Sequence, residues 1–122
     1  MPMPKFDSWK KRGTYRLECV DEVGVSPTKV VNLMSDWHWE VRDLLLQKWV
    51  LCVLHKMGIM SMEGVFKMDE ALSKIPPKYR ESAERLIDHC LPKKPTEPHK
   101  IAWHYVKCHN LSKGNFSEIS IF

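Results

Sequence analysis

Apolar residues recur every three or four positions over most of the 122-residue chain, which is the spacing of amphipathic helices. The pattern predicts a first helix over residues 5–22 and a short second helix that begins at Pro27, with Ser26 as its N-cap. The next predicted helix covers residues 38–57 and ends at Gly58. Because this helix is apolar on most of its faces, we expect it to lie buried at the centre of the domain.

The second half of the chain keeps the helical period but is interrupted by prolines. After a connector over 59–65, a short helix over 68–75 is predicted to stop at Pro76. A further helix over 78–91 has a regular apolar stripe, and the last helix is predicted over 97–111. The sequence therefore predicts an all-α fold of about six helices.

We find no internal repeat, low-complexity tract or linker, so residues 1–122 are expected to form a single domain with a helical core over 5–111. The tail over 112–122 carries four large apolar residues: Phe116, Ile119, Ile121 and Phe122. Such a tail either covers the mouth of an interior site or is a frayed end.

Composition narrows the functional class. Hydrophobic residues make up 43% of the chain and charged residues 28%, which is typical of a soluble globular domain. The net charge of +4 is scattered among acids, so we expect no nucleic-acid partner. The sequence has no apolar run long enough to span a membrane, so we expect no membrane insertion. There is no phosphate-binding loop, paired zinc motif or nucleophile elbow, so we expect no enzymatic activity, no cofactor and no bound metal.

An even number of cysteines in a short soluble chain favours disulfides over free thiols. The chain has four, separated by 32, 37 and 17 residues: Cys19, Cys52, Cys90 and Cys108. Spacing alone allows three pairings. A less favoured alternative is a zinc site made by Cys90 and Cys108 with two histidines, His89 and His104.

The cysteine gaps and the segments around them resemble the insect odorant-binding protein family, in the four-cysteine branch called Minus-C. The segments are 19–26, 48–60 and 97–108, and the resemblance covers residues 5–111. It implies six helices around an internal hydrophobic cavity and the disulfides Cys19–Cys52 and Cys90–Cys108. The six-cysteine members carry a third bridge at the positions that are Lys48 and His99 here.

The resemblance also implies a function in olfaction or pheromone binding. It implies a secreted, extracellular carrier that transports small hydrophobic molecules such as odorants, pheromones or other lipophilic ligands. The implied protein is a monomer or weak dimer, with a chemosensory receptor as a partner. An alternative from the residues alone is a disulfide-stapled helical protein that acts by binding another protein.

The pocket of such a carrier would be lined by apolar residues of the helical stripes, with methionines that deform easily and flat tryptophan walls. The predicted ligand-binding residues are Met34, Trp37, Leu45, Trp49, Val53, Met57, Met62, Phe66, Met68, Leu72, Leu86, Ile87, Ala102, Trp103, Val106, Phe116 and Phe122. Tyr79 and Tyr105 are candidates for a hydroxyl that contacts one polar ligand atom.

The absence of the third bridge predicts a pocket that changes shape more easily than the pocket of six-cysteine relatives. Lys48 lies on an apolar stripe, so its side chain either extends past the edge of the core or donates to His99 or a nearby carboxylate. Six histidines also allow ligand release at acidic pH.

Overall fold

The computed structural model describes residues 4–36, 43–94 and 96–112. These residues form six α-helices and one turn of 3₁₀-helix at Pro77–Tyr79. The helices are α1 (Pro4–Val23), α2 (Pro27–Asp36), α3 (Leu44–Lys56), α4 (Met68–Ser73), α5 (Arg80–Cys90) and α6 (Pro98–Ser112). The predicted all-α class is confirmed, and the described part of the chain contains no strand beyond an isolated bridge between Met60 and Phe66.

Helix α3 begins at Leu44 rather than at the predicted residue 38, because Asp43 forms its N-cap. The Asp43 backbone is extended, and its Oδ1 accepts hydrogen bonds from the N–H groups of Leu45 at 3.0 Å and Leu46 at 3.2 Å. Its Oδ2 accepts a 2.8 Å hydrogen bond from the Lys29 ammonium of α2. One carboxylate therefore both starts α3 and ties it to α2.

The stability contributed by this cap is expected to depend on pH. The Lys29 hydrogen bond, with smaller contributions from the two N–H groups, holds the pKa of Asp43 below its usual value. The carboxylate therefore stabilises the fold above the pKa of the unfolded chain, and this contribution is lost as pH falls through the lower folded-state pKa. Asp43→Ala is expected to lower the free energy of unfolding by about 1–2 kcal/mol near neutral pH.

Urea denaturation of the wild type and Asp43→Ala, at neutral pH and at about pH 2.5, measures this dependence. The difference between the two proteins should shrink in acid, because the wild-type carboxylate becomes protonated as pH falls through its lowered folded-state pKa. Asp43→Asn keeps a capping oxygen and should lose less than Asp43→Ala. An undiminished difference in acid would show that the ionised carboxylate is not what stabilises this junction.

Helix α3 occupies the centre of the domain and packs against α1 and α6, while α5 packs against α6. Four of its side chains, Trp49, Val50, Val53 and Leu54, are at most 1% exposed. The Trp49 indole N–H donates to the Arg16 carbonyl of α1 at 3.1 Å. The prediction that α3 is the buried central helix is thus confirmed by its packing.

Two disulfides fasten this packing. Cys19–Cys52 joins α1 to α3, and Cys90–Cys108 joins the end of α5 to α6, as the family resemblance implied. Because all four sulfurs are bonded in pairs, none is a thiolate available to zinc. The sulfurs of Cys19 and Cys52 lie near a Glu22 oxygen, but for the same reason this group is not a metal site.

A tight loop over residues 58–67 connects α3 to α4. Gly58 ends α3 with a φ of +79°. The Ser61 N–H donates to the Val65 carbonyl at 2.9 Å, and the Lys67 N–H donates to the Ile59 carbonyl at 2.8 Å. This closed loop lies against the start of α6, where Gly64 approaches Pro98 and Ile101.

Candidate functional site

Seven of the predicted ligand-binding residues lie together in the buried hydrophobic core. They come from α3 and its end, from α5 and from α6: Trp49, Val53, Met57, Ile87, Ala102, Trp103 and Val106. The sequence pattern brings them together because each lies on the apolar face that its helix turns toward the central packing.

Four more predicted residues lie half-buried and pack against this core: Phe66, Met68, Leu72 and Leu86. Phe66 closes the 58–67 loop, Met68 and Leu72 belong to α4, and Leu86 belongs to α5. Through these side chains the apolar core extends to the protein surface beside α4 and α5.

Leu45 and Met62 lie elsewhere. They are 40% and 50% exposed and line an open surface pocket of about 900 Å³. Lys48 and His99 line the same pocket, so the two positions of the missing third bridge face one surface pocket. Lys48 is exposed, whereas the His99 Nε2 lies 3.0 Å from a Glu97 carboxylate oxygen. This geometry favours a Lys48 side chain that extends past the edge of the core.

The remaining predictions fall outside the residues described. Trp37, Phe116 and Phe122 belong to the segments 37–42 and 113–122, and the backbone of Met34 is described without its side chain. The proposed covering tail over 112–122 therefore stays a prediction.

Tyr105 is the most unusual residue of the core. It is fully buried, yet no described residue forms a hydrogen bond with its hydroxyl. Burial raises the pKa of this phenol, so the hydroxyl stays protonated. A buried hydroxyl without a partner typically costs about 1–3 kcal/mol.

The surroundings of Tyr105 are aromatic. Its ring centroid lies 4.9 Å from that of Phe66 and 5.8 Å from that of His109. His109 is 1% exposed and was not predicted as a core residue from the sequence. The available signal was its position one helical turn after Tyr105, on the same face of α6.

The described residues form six helices that two disulfides join around one apolar core, which defines a small disulfide-bonded helical domain. The PBP/GOBP family model matches residues 5–110. The chain belongs to the PBP/GOBP family.

The fold is shared with an odorant-binding protein of Locusta migratoria whose crystal structure is known. The two superpose with a TM-score of 0.66 over 90% of this chain and 84% of the locust protein, at 20% sequence identity. No curated protein sequence matches this chain. Among the described residues, no helix combines the length and the apolar character that a membrane span needs.

Proposed function

We propose that this protein carries small hydrophobic molecules, such as odorants, pheromones or other lipophilic ligands, within its apolar core. The observation that carries the proposal is the convergence of seven predicted ligand-binding residues in one buried cluster, within a chain of the PBP/GOBP family. The driving force for binding is the transfer of the ligand's apolar surface from water into this dry cluster.

A ligand has to open this core in order to enter. Val53, Ile87, Ala102 and Val106 are at most 1% exposed, so their neighbours leave no water-sized space beside them. Methionine side chains adapt to such changes because they are unbranched and flexible. Three of them, Met57, Met60 and Met68, belong to or pack against the core and can make room.

The energetics suit a carrier that also releases its cargo. A ligand that buries about ten CH₂ groups gains roughly 8 kcal/mol at ~0.8 kcal/mol each. Immobilisation subtracts several kcal/mol, and packing in the core returns part of it, which gives a dissociation constant on the order of micromolar.

Extracellular secretion belongs to the same proposal and is supported by the family and by two disulfides, which persist in oxidising compartments. The proposal also includes action as a monomer or weak dimer that delivers its ligand to a chemosensory receptor. The alternative, binding of another protein through an exposed apolar surface, would draw on residues such as Leu45 and Met62.

Displacement of the fluorophore N-phenyl-1-naphthylamine by a panel of volatile and lipid ligands tests the proposal. We expect one fluorophore per chain, a dissociation constant on the order of micromolar, and competitive displacement. A saturating ligand, at about 100 times its dissociation constant, should also add roughly 2.7 kcal/mol to the free energy of unfolding.

The double variant Leu45→Gln with Met62→Gln serves as the control, because both residues line the outer pocket and neither belongs to the core. It should bind the fluorophore as the wild type does. Loss of fluorophore binding in this variant would place the ligand on the surface and would contradict an interior site.

A further inference from the structure

We infer that the core selects neutral ligands that carry one hydrogen-bond-accepting oxygen, such as ketones, aldehydes, esters or alcohols, and that the Tyr105 hydroxyl donates to this oxygen. The inference rests on the proposed function and assigns the chemical class of the ligand. Apolar burial alone would bind hydrocarbons as well as it binds ligands with one oxygen.

Tyr105 is 0% exposed and its oxygen has no hydrogen-bond partner in the part of the chain that the structure describes. Buried polar groups are almost always hydrogen-bonded, so each exception needs an explanation. A ligand oxygen that accepts from this hydroxyl would supply the missing partner.

The Tyr105 ring contacts the ring of Phe66, with centroids 4.9 Å apart, and Phe66 is only half-buried. Tyr105 therefore lies one side chain below the surface. The isolated bridge between Met60 and Phe66 holds the backbone of the 58–67 loop, so the Phe66 side chain is the group that a ligand would displace to reach the Tyr105 ring.

The surroundings of Tyr105 disfavour charged ligands. Among the residues that the structure describes, the buried core around Tyr105 contains no lysine or arginine, and His109 is its one buried polar side chain besides Tyr105. A carboxylate placed there would lose its hydration and gain one hydroxyl donor, which does not compensate the loss. A neutral oxygen loses far less hydration and gains the same hydrogen bond.

Three ligands of closely similar size and shape separate these cases: 4-phenyl-2-butanone, butylbenzene and 3-phenylpropanoate. They are compared by displacement of N-phenyl-1-naphthylamine from the full chain. For the wild type, we expect the ketone to bind about fivefold to tenfold more tightly than the hydrocarbon, as one hydrogen bond predicts. The carboxylate at neutral pH should bind more weakly than the ketone.

Tyr105→Phe removes the hydroxyl and keeps the ring. It should abolish the preference for the ketone while changing the affinity for butylbenzene by less than about twofold. Its melting temperature should equal or exceed that of the wild type, because an unpartnered buried hydroxyl is removed, and this also shows that the variant folds. Tyr15→Phe is the matched control, since Tyr15 is a half-buried tyrosine of α1 outside the predicted ligand-binding residues, and it should leave the preference intact.

Two results would overturn the inference while leaving the carrier function standing. One is a wild type that binds ketone and hydrocarbon equally, and the other is a Tyr105→Phe variant that keeps the preference. If the fluorophore itself does not bind the chain, the proposed function fails and the inference fails with it.

Discussion

Replacing Cys19 and Cys52 together by alanine is expected to lower the free energy of unfolding by about 4 kcal/mol in the chain-entropy treatment of disulfides. The two cysteines are 33 positions apart in the sequence, so the bridge removes many conformations from the unfolded chain. It also joins α1 to the central helix α3. Because small domains are stable by only about 5–15 kcal/mol, this is a large fraction of the total. Urea denaturation of the double variant measures the loss.

The second disulfide provides the matched comparison. Cys90 and Cys108 are 18 positions apart, so their replacement by alanine should cost less, about 3 kcal/mol. Chemical reduction of the wild type changes no residue and should reproduce the two losses combined. A loss below about 1 kcal/mol for the Cys19 and Cys52 variant would mean that packing alone fixes α1 on α3.

Gly64→Ala is expected to lower the free energy of unfolding by about 2–4 kcal/mol, for two separate reasons. The Gly64 φ of +87° lies in the left-handed region, which disfavours a side chain. An added Cβ would also lie 2.9 Å from the Ile101 Cδ1 and 3.2 Å from the Pro98 Cα. Because the Pro98 contact is with backbone, relief requires the 58–67 loop to move away from α6.

Gly24→Ala separates the two reasons. Gly24 has a similar φ of +79°, but nothing lies within 4 Å of the position of its added Cβ. This variant should therefore show the backbone effect alone, about 1 kcal/mol. Equal losses in the two variants, measured by thermal or urea denaturation, would show that the loop does not press on α6.

Helix positions were predictable because most apolar stripes have the right period and most helix ends carry their own signals. Pro27, Gly58 and Pro76 marked boundaries that the structure reproduces. The start of α3 was placed too early because the apolar pattern does not show where the backbone leaves the helical region. The Asp43 carboxylate fixes the start of α3, because it accepts hydrogen bonds from two backbone N–H groups of the first turn. It also accepts one from Lys29 on α2, which is 14 positions away in the sequence.

Periodicity identified core residues but did not separate them from residues on the edge of the same face. Leu45 and Val53 are both apolar residues of α3, yet Leu45 is 40% exposed and Val53 is 1% exposed. The difference depends on which neighbouring helix covers each turn of α3, and a single helix pattern does not contain that information. Tyr105 was predicted as a hydroxyl donor, but its lack of a partner is a property of the assembled core.

Intermolecular NOEs between ¹³C-labelled protein methyl groups and 4-phenyl-2-butanone test the interior site most directly. A ligand held in the core should show NOEs to the methyls of Val53, Ile87 and Val106, which are at most 1% exposed. NOEs confined to exposed methyls such as those of Leu17, Val31 and Val65 would contradict carriage of the ligand inside the helical domain.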